Sequence, residues 1–83
     1  MNGVTYRALD QVLKSLGFTC RVLRQEPAAR WYEHPQSGAI VSLPLLPEDQ
    51  QVFPNHLAAV RGTLEIYGIT DPLDLAARLQ KAS

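Results

Sequence analysis

The sequence predicts an α+β domain of order α-β-β-β-α: a three-stranded antiparallel sheet with helices packed on one face, plus a short C-terminal helix. Three observations lead there. Apolar residues recur at helical spacing before Gly17 and again after Pro54. Between these stretches the spacing shortens to alternation, and the alternating segments are joined by Pro- and Gly-bearing connections too short for a parallel crossover. A chain of 83 residues has room for one domain with one modest core.

Each element has a local cause. Thr5 is suited to cap a helix, and Tyr6, Leu9, Val12, Leu13 and Leu16 follow as one apolar stripe, so the first helix is expected from Tyr6 to Leu16. Gly17 can end it in the left-handed conformation, folding Phe18 back on Leu13. Thr19 to Gln25 reads as a strand with Cys20 and Val22 on one face and Arg21 and Leu23 on the other, interrupted by Glu26-Pro27. Ala29 to His34 is a second strand, Pro35-Gln36-Ser37-Gly38 a turn, and Ala39 to Leu43 a third strand that Pro44 should stop. Val41 and Leu43 are expected to meet the helices. Trp31 is expected in the core, which would turn Arg30, Tyr32 and His34 outward beside Ile40 and Ser42.

Leu45 to Phe53 reads as an irregular loop exposing Leu46, Val52 and Phe53. Asn55 is the expected cap of a second helix whose buried stripe is Leu57, Val60, Leu64 and Tyr67, and Gly68 with Ile69 repeats the first helix's ending. Asp71-Pro72 should open a short third helix with Leu75, Ala76 and Leu79 inward. Helices on one side leave the other sheet face open, the natural place for function.

Eight basic and eight acidic residues cancel, which argues against a sequence-blind electrostatic binder of nucleic acid. Their distribution is uneven. Up to residue 30, five basic residues (Arg7, Lys14, Arg21, Arg24, Arg30) stand against two acidic ones (Asp10, Glu26); the rest of the chain has three basic and six acidic. A basic patch on the first helix and strands could therefore meet phosphate. The longest apolar runs are far short of a membrane span, no stretch of signal-peptide length opens the chain, and the single Cys20 has no internal disulfide partner; a cytoplasmic location away from membranes is expected.

A tyrosine and an arginine on one strand face can stack a base and pair a phosphate, so Arg30, Tyr32, His34 and one further cation, Arg21, are the candidate RNA-binding residues. Cys20 alternates with Val22 on the apolar side and reads as core filler, and His56 as a histidine at the start of a helix. Two histidines and one cysteine give no metal-ligand spacing, and no glycine-rich loop precedes a helix, so no metal and no cofactor are expected.

The strings "YRALDQVLKSLGF", "YEHPQSGAIVSLP" and "PNHLAAVRGTLEIYGI", in that order, resemble the HicA, or YcfA-like, proteins over Thr5 to Ile69. The resemblance implies a bacterial toxin–antitoxin protein with a double-stranded-RNA-binding-domain-like fold, which cleaves mRNA and is neutralised by a HicB antitoxin. In that family a Gly-Ser-x-His or Gly-Ser-His-His string, just ahead of the aromatic matching Tyr32, carries the catalytic histidine. Here Pro27-Ala28 stands in place of Gly-Ser, and Ala29-Arg30 where the histidine would be. Metal-independent cleavage needs a base for the ribose 2′-OH, which imidazole supplies. A guanidinium stays protonated and has no acceptor, so Arg30 can hold phosphate but activate nothing.

The leading expectation is thus a HicA-like RNA-binding domain without ribonuclease activity. The alternatives are a protein-interaction module that binds a HicB-like or other protein partner, and an active mRNA interferase in which His34 stands in as the catalytic group. Pairing of two copies through an uncovered strand edge stays open.

Overall fold

The computed structural model describes residues 3–82. Helix α1 (Tyr6–Ser15) is followed by strands β1 (Thr19–Leu23), β2 (Ala29–His34) and β3 (Ala39–Pro44), then helices α2 (Pro54–Ile66) and α3 (Pro72–Ala82). The strands form one antiparallel sheet in the order β1-β2-β3. This is the α+β, α-β-β-β-α arrangement the sequence predicts, except that α3, at 11 residues, is longer than the 10-residue α1.

The two glycine-ended helices close as expected. At the end of α1 the Phe18 N–H donates to the Leu13 carbonyl and the Gly17 N–H to that of Lys14, the paired bonds of a Schellman turn. At the end of α2, Ile69 donates to Leu64 and Gly68 to Glu65 in the same pattern. Thr5 caps α1 by accepting from the Ala8 N–H, while the Tyr6 and Arg7 N–H groups donate to the carbonyls of Gln50 and Glu48. Asp71 caps α3 through the Asp74 N–H. Asn55, however, is not the cap of α2. Phe53 holds that position, and Pro54, which has no N–H to satisfy, takes the first helical place.

The core gathers Tyr6, Leu9, Val12 and Leu13 of α1, Val60 and Leu64 of α2, and Leu75 and Leu79 of α3 over the sheet residues Tyr32, Ala39, Val41 and Leu43. Val52, expected exposed, is buried, because its N–H donates to the Val4 carbonyl and draws the loop under α1. Tyr67 and Ala76, expected inward, are exposed; Tyr67 is the C-cap, where the chain already turns away from the core. β1 is shorter than expected, ending at Leu23, and β3 continues through Pro44, which pairs with Ala29. Proline is tolerated there because its nitrogen lies on the free edge of β3, where no ladder bond is required.

The register decides which side of β2 meets the helices. His34 pairs with Ala39 across a four-residue turn, Tyr32 with Val41 and Arg30 with Leu43. Even-numbered residues of β2 therefore share a face with odd-numbered residues of β3, and that face is covered. On the uncovered face lie Thr19, Arg21 and Leu23 of β1, Ala29, Trp31 and Glu33 of β2, and Ile40, Ser42 and Pro44 of β3. Among the described residues no helix is long and apolar enough to cross a membrane.

Candidate functional site

The expected constellation does not assemble on a surface. Tyr32 is 1% exposed and His34 7%, so the outward orientation expected for both is corrected: they pack beneath α1, and Trp31 occupies the open face instead. The cause is the parity just described. Once Val41 and Leu43 are buried, a four-residue turn obliges Tyr32 and Arg30 to join them. Arg30 is half-buried on that inner face, between Val22 and Leu43. Arg21 is exposed on the opposite face, directly across from Trp31.

Tyr32 reaches α1. Its hydroxyl donates to Asp10 Oδ1 at 2.7 Å, and Asp10 Oδ2 pairs with Lys14 Nζ at 3.1 Å. Burial, and then the hydrogen bond and negative charge of Asp10, raise the phenol well above the ordinary tyrosine range; Arg30 opposes this weakly. Tyr32 is thus a neutral donor held by a carboxylate, with no ring face left for a base to stack on.

His34 is equally engaged. Nε2 lies 3.0 Å from the Leu16 carbonyl, which can only accept, and Nδ1 lies 3.2 Å from the Ser37 N–H, which can only donate. The ring is therefore neutral with its proton on Nε2. Ser37 Oγ donates to Nδ1 at 2.7 Å while accepting from the Ala39 N–H. The imidazole ties the end of α1 to the β2–β3 turn and packs against Phe18, with ring centroids 5.0 Å apart. Its only lone pair in the ring plane is occupied by Ser37, so acting as a base would require dismantling the turn. Gly17 fits against this ring: its φ is +102°, and a Cβ there would lie 3.3 Å from His34 Nε2.

His56 is partly buried, with Nδ1 3.0 Å from the Tyr6 hydroxyl and its ring near Phe53. Cys20 is partly buried against the core, as expected of filler. No group of three or more His, Cys, Asp or Glu side chains is placed to hold a metal ion among the described residues.

Two open surface features adjoin the sheet. One is the uncovered sheet face, where Trp31 stands between Arg21 and Ser42, flanked by Leu23, Glu33 and Ile40; Leu23 is 40% and Ile40 46% exposed. The Trp31 indole N–H is hidden from solvent, with no acceptor among the described residues. The other is a cleft of about 240 Å³ between β3 and α2, lined by Ile40, Val41, Ser42 and Leu43 and by His56, Ala59, Val60 and Thr63.

No family model, curated protein or solved structure matches this chain. The likeness to HicA proteins rests on the sequence strings alone.

Sequence reasoning passed over Asp10, Trp31 as a surface residue, and the cleft. Asp10 was detectable: with Tyr6, Leu9 and Leu13 it falls at positions i+4, i, i+3 and i+7 of one helix face, so a carboxylate in that stripe needs a buried donor. The cleft depends on how far α2 stands from β3, which no local spacing encodes.

Proposed function

We infer that this chain is a protein-interaction domain whose partner docks on the uncovered side of the sheet. The supporting observation is the composition of that side: Trp31 at its centre, with Leu23 and Ile40 at opposite corners, is bordered by one arginine and one glutamate. Such a surface is apolar at its centre and neutral in sum, as protein interfaces are, whereas nucleic-acid interfaces are strongly positive. The overall charge balance of the chain points the same way. A HicB-like protein is the partner the sequence resemblance suggests.

RNA binding keeps one observation in its favour, the cross-strand pair of Arg21 and Trp31, a cation beside a ring. On this reading the contacts pass to Arg21 and Trp31, with Arg30 on the other face and Tyr32 and His34 inside. Photo-crosslinking in the native host from a probe placed at Thr19, exposed on the same face, tests both readings. A discrete crosslinked polypeptide that disappears in Ile40→Glu is expected. RNA in the crosslink, together with a gel shift that weakens as salt rises and is lost in Arg21→Ala, overturns the protein-docking reading in favour of RNA.

A further inference from the structure

We propose that the free edge of β3 and the neighbouring helix α2 form an acceptor for an extended segment of the partner polypeptide, which adds to the sheet as a fourth strand. This rests on the protein-docking reading and specifies how the partner is held.

The hydrogen-bonding pattern locates the open edge. The Leu45 N–H donates to the Ala28 carbonyl at 3.2 Å, continuing the β2–β3 register, so Ala28 and Leu45 are a directly bonded pair. Bonded and non-bonded pairs alternate along an antiparallel ladder. Arg30–Leu43 and Tyr32–Val41 are then bonded pairs, and the N–H and C=O groups of Ile40 and Ser42 point away from β2. Pro44 falls in this outward series too, which is why its missing N–H is harmless. No main-chain bond runs from Ile40 or Ser42 to any other element among the described residues. Two donors and two acceptors in an extended row are the template for another strand.

The cleft lies beside that row. Ile40 and Ser42 send their side chains to the opposite face of the sheet, so they line the cleft through their main chain, and α2 supplies its far wall with His56, Ala59, Val60 and Thr63. An antiparallel segment bonded to Ile40 and Ser42 places its middle residue opposite Val41, with the side chain on the same face as Val41 and so directed into the cleft. At about 240 Å³ the space exceeds the roughly 150 Å³ that takes up a benzene-sized group, enough for one leucine-sized side chain. The two flanking residues lie beside Ile40 and Ser42 on the open face.

A second copy of this chain fits less well as the occupant. If β3 paired with itself about a twofold axis at Val41, the residue facing the cleft would be the other copy's Val41, already covered by its own α2. The cleft would stay empty and the two α2 helices would crowd the seam. A segment that carries no helix of its own fills the cleft, and the partner's recognition sequence is accordingly an aliphatic residue in a short β-branched stretch.

The probe is a capped synthetic peptide, Thr-Val-Leu-Val-Thr, titrated into the 15N-labelled full chain. Amide shifts are expected at Ile40 and Ser42 and along α2 at Ala59 and Thr63. N-methylation of both valines should weaken binding at least tenfold by removing the two donors, and Ala59→Phe, on an exposed position, should do the same by filling the cleft. Self-association of the chain without peptide, shifts confined to Cys20 and Val22 on the β1 edge, or no shift at millimolar peptide would each overturn the acceptor. Shifts confined to the Trp31 indole and Arg21 would overturn it while leaving the protein-docking reading standing.

Discussion

The two faces of β2 carry similar residues and treat them in opposite ways. On the inner face, the phenol of Tyr32 and both nitrogens of His34 each have a partner within 3.2 Å, supplied by α1 or by the hairpin turn. On the outer face, one residue away, the Trp31 N–H is hidden with none among the described residues. Polar tips under the helices are thus consumed in fixing helix to sheet, and an aromatic residue there signals architecture. The unfinished side is the one on which something else can be built.

The contrast can be broken by substitution. The largest effect is expected at His34: His34→Leu keeps the bulk but leaves the Leu16 carbonyl and the Ser37 N–H without partners, costing about 2–4 kcal/mol in urea unfolding. Tyr32→Phe removes one donor from a buried carboxylate and should cost about 1.5–3 kcal/mol.

The same substitution sharpens the pH dependence. The folded phenol titrates above its ordinary value near 10, so its contribution is complete below that pH. Above it the unfolded chain releases the proton first, and stability falls by up to about 1.4 kcal/mol per pH unit. Denaturation midpoints measured across that range should lose this component in Tyr32→Phe. Trp31→Phe, on the outer face, gives up some apolar area but also deletes an unpartnered donor, and should stay within about 1 kcal/mol of the parent. A larger loss at Trp31 than at Tyr32 would erase the distinction between the faces.

Much of the fold was legible because its signals are local. Gly17 with Phe18 and Gly68 with Ile69 announce two helix ends, Thr5 and Asp71 announce two starts, and Val41 with Leu43 marks the covered side of β3. The facing of β2 was legible as well, since a turn limited to Pro35–Gly38 sets His34 against Ala39 and so carries Tyr32 inward with Val41. The expectation that tryptophan seeks the core pulled the other way, and register outweighs a single residue's hydrophobicity. The α2 start was misread because Asn55 is a good cap by type, while Pro54 before it already fits the first helical position. The partners of Tyr32 and His34 come from α1 and the turn, and the β3–α2 cleft from helix placement; these distances arise only once the elements pack.

The start of α1 also bears on how the chain comes into being. Thr5 satisfies one N–H of the first turn, but those of Tyr6 and Arg7 are met by carbonyls of Gln50 and Glu48, supplied far downstream. On a ribosome, where residues emerge at about 5–20 per second, α1 is made before these carbonyls, and its first turn stays incomplete until the segment before α2 has left the exit tunnel. The start of α1 is therefore completed only by residues made about forty positions after it.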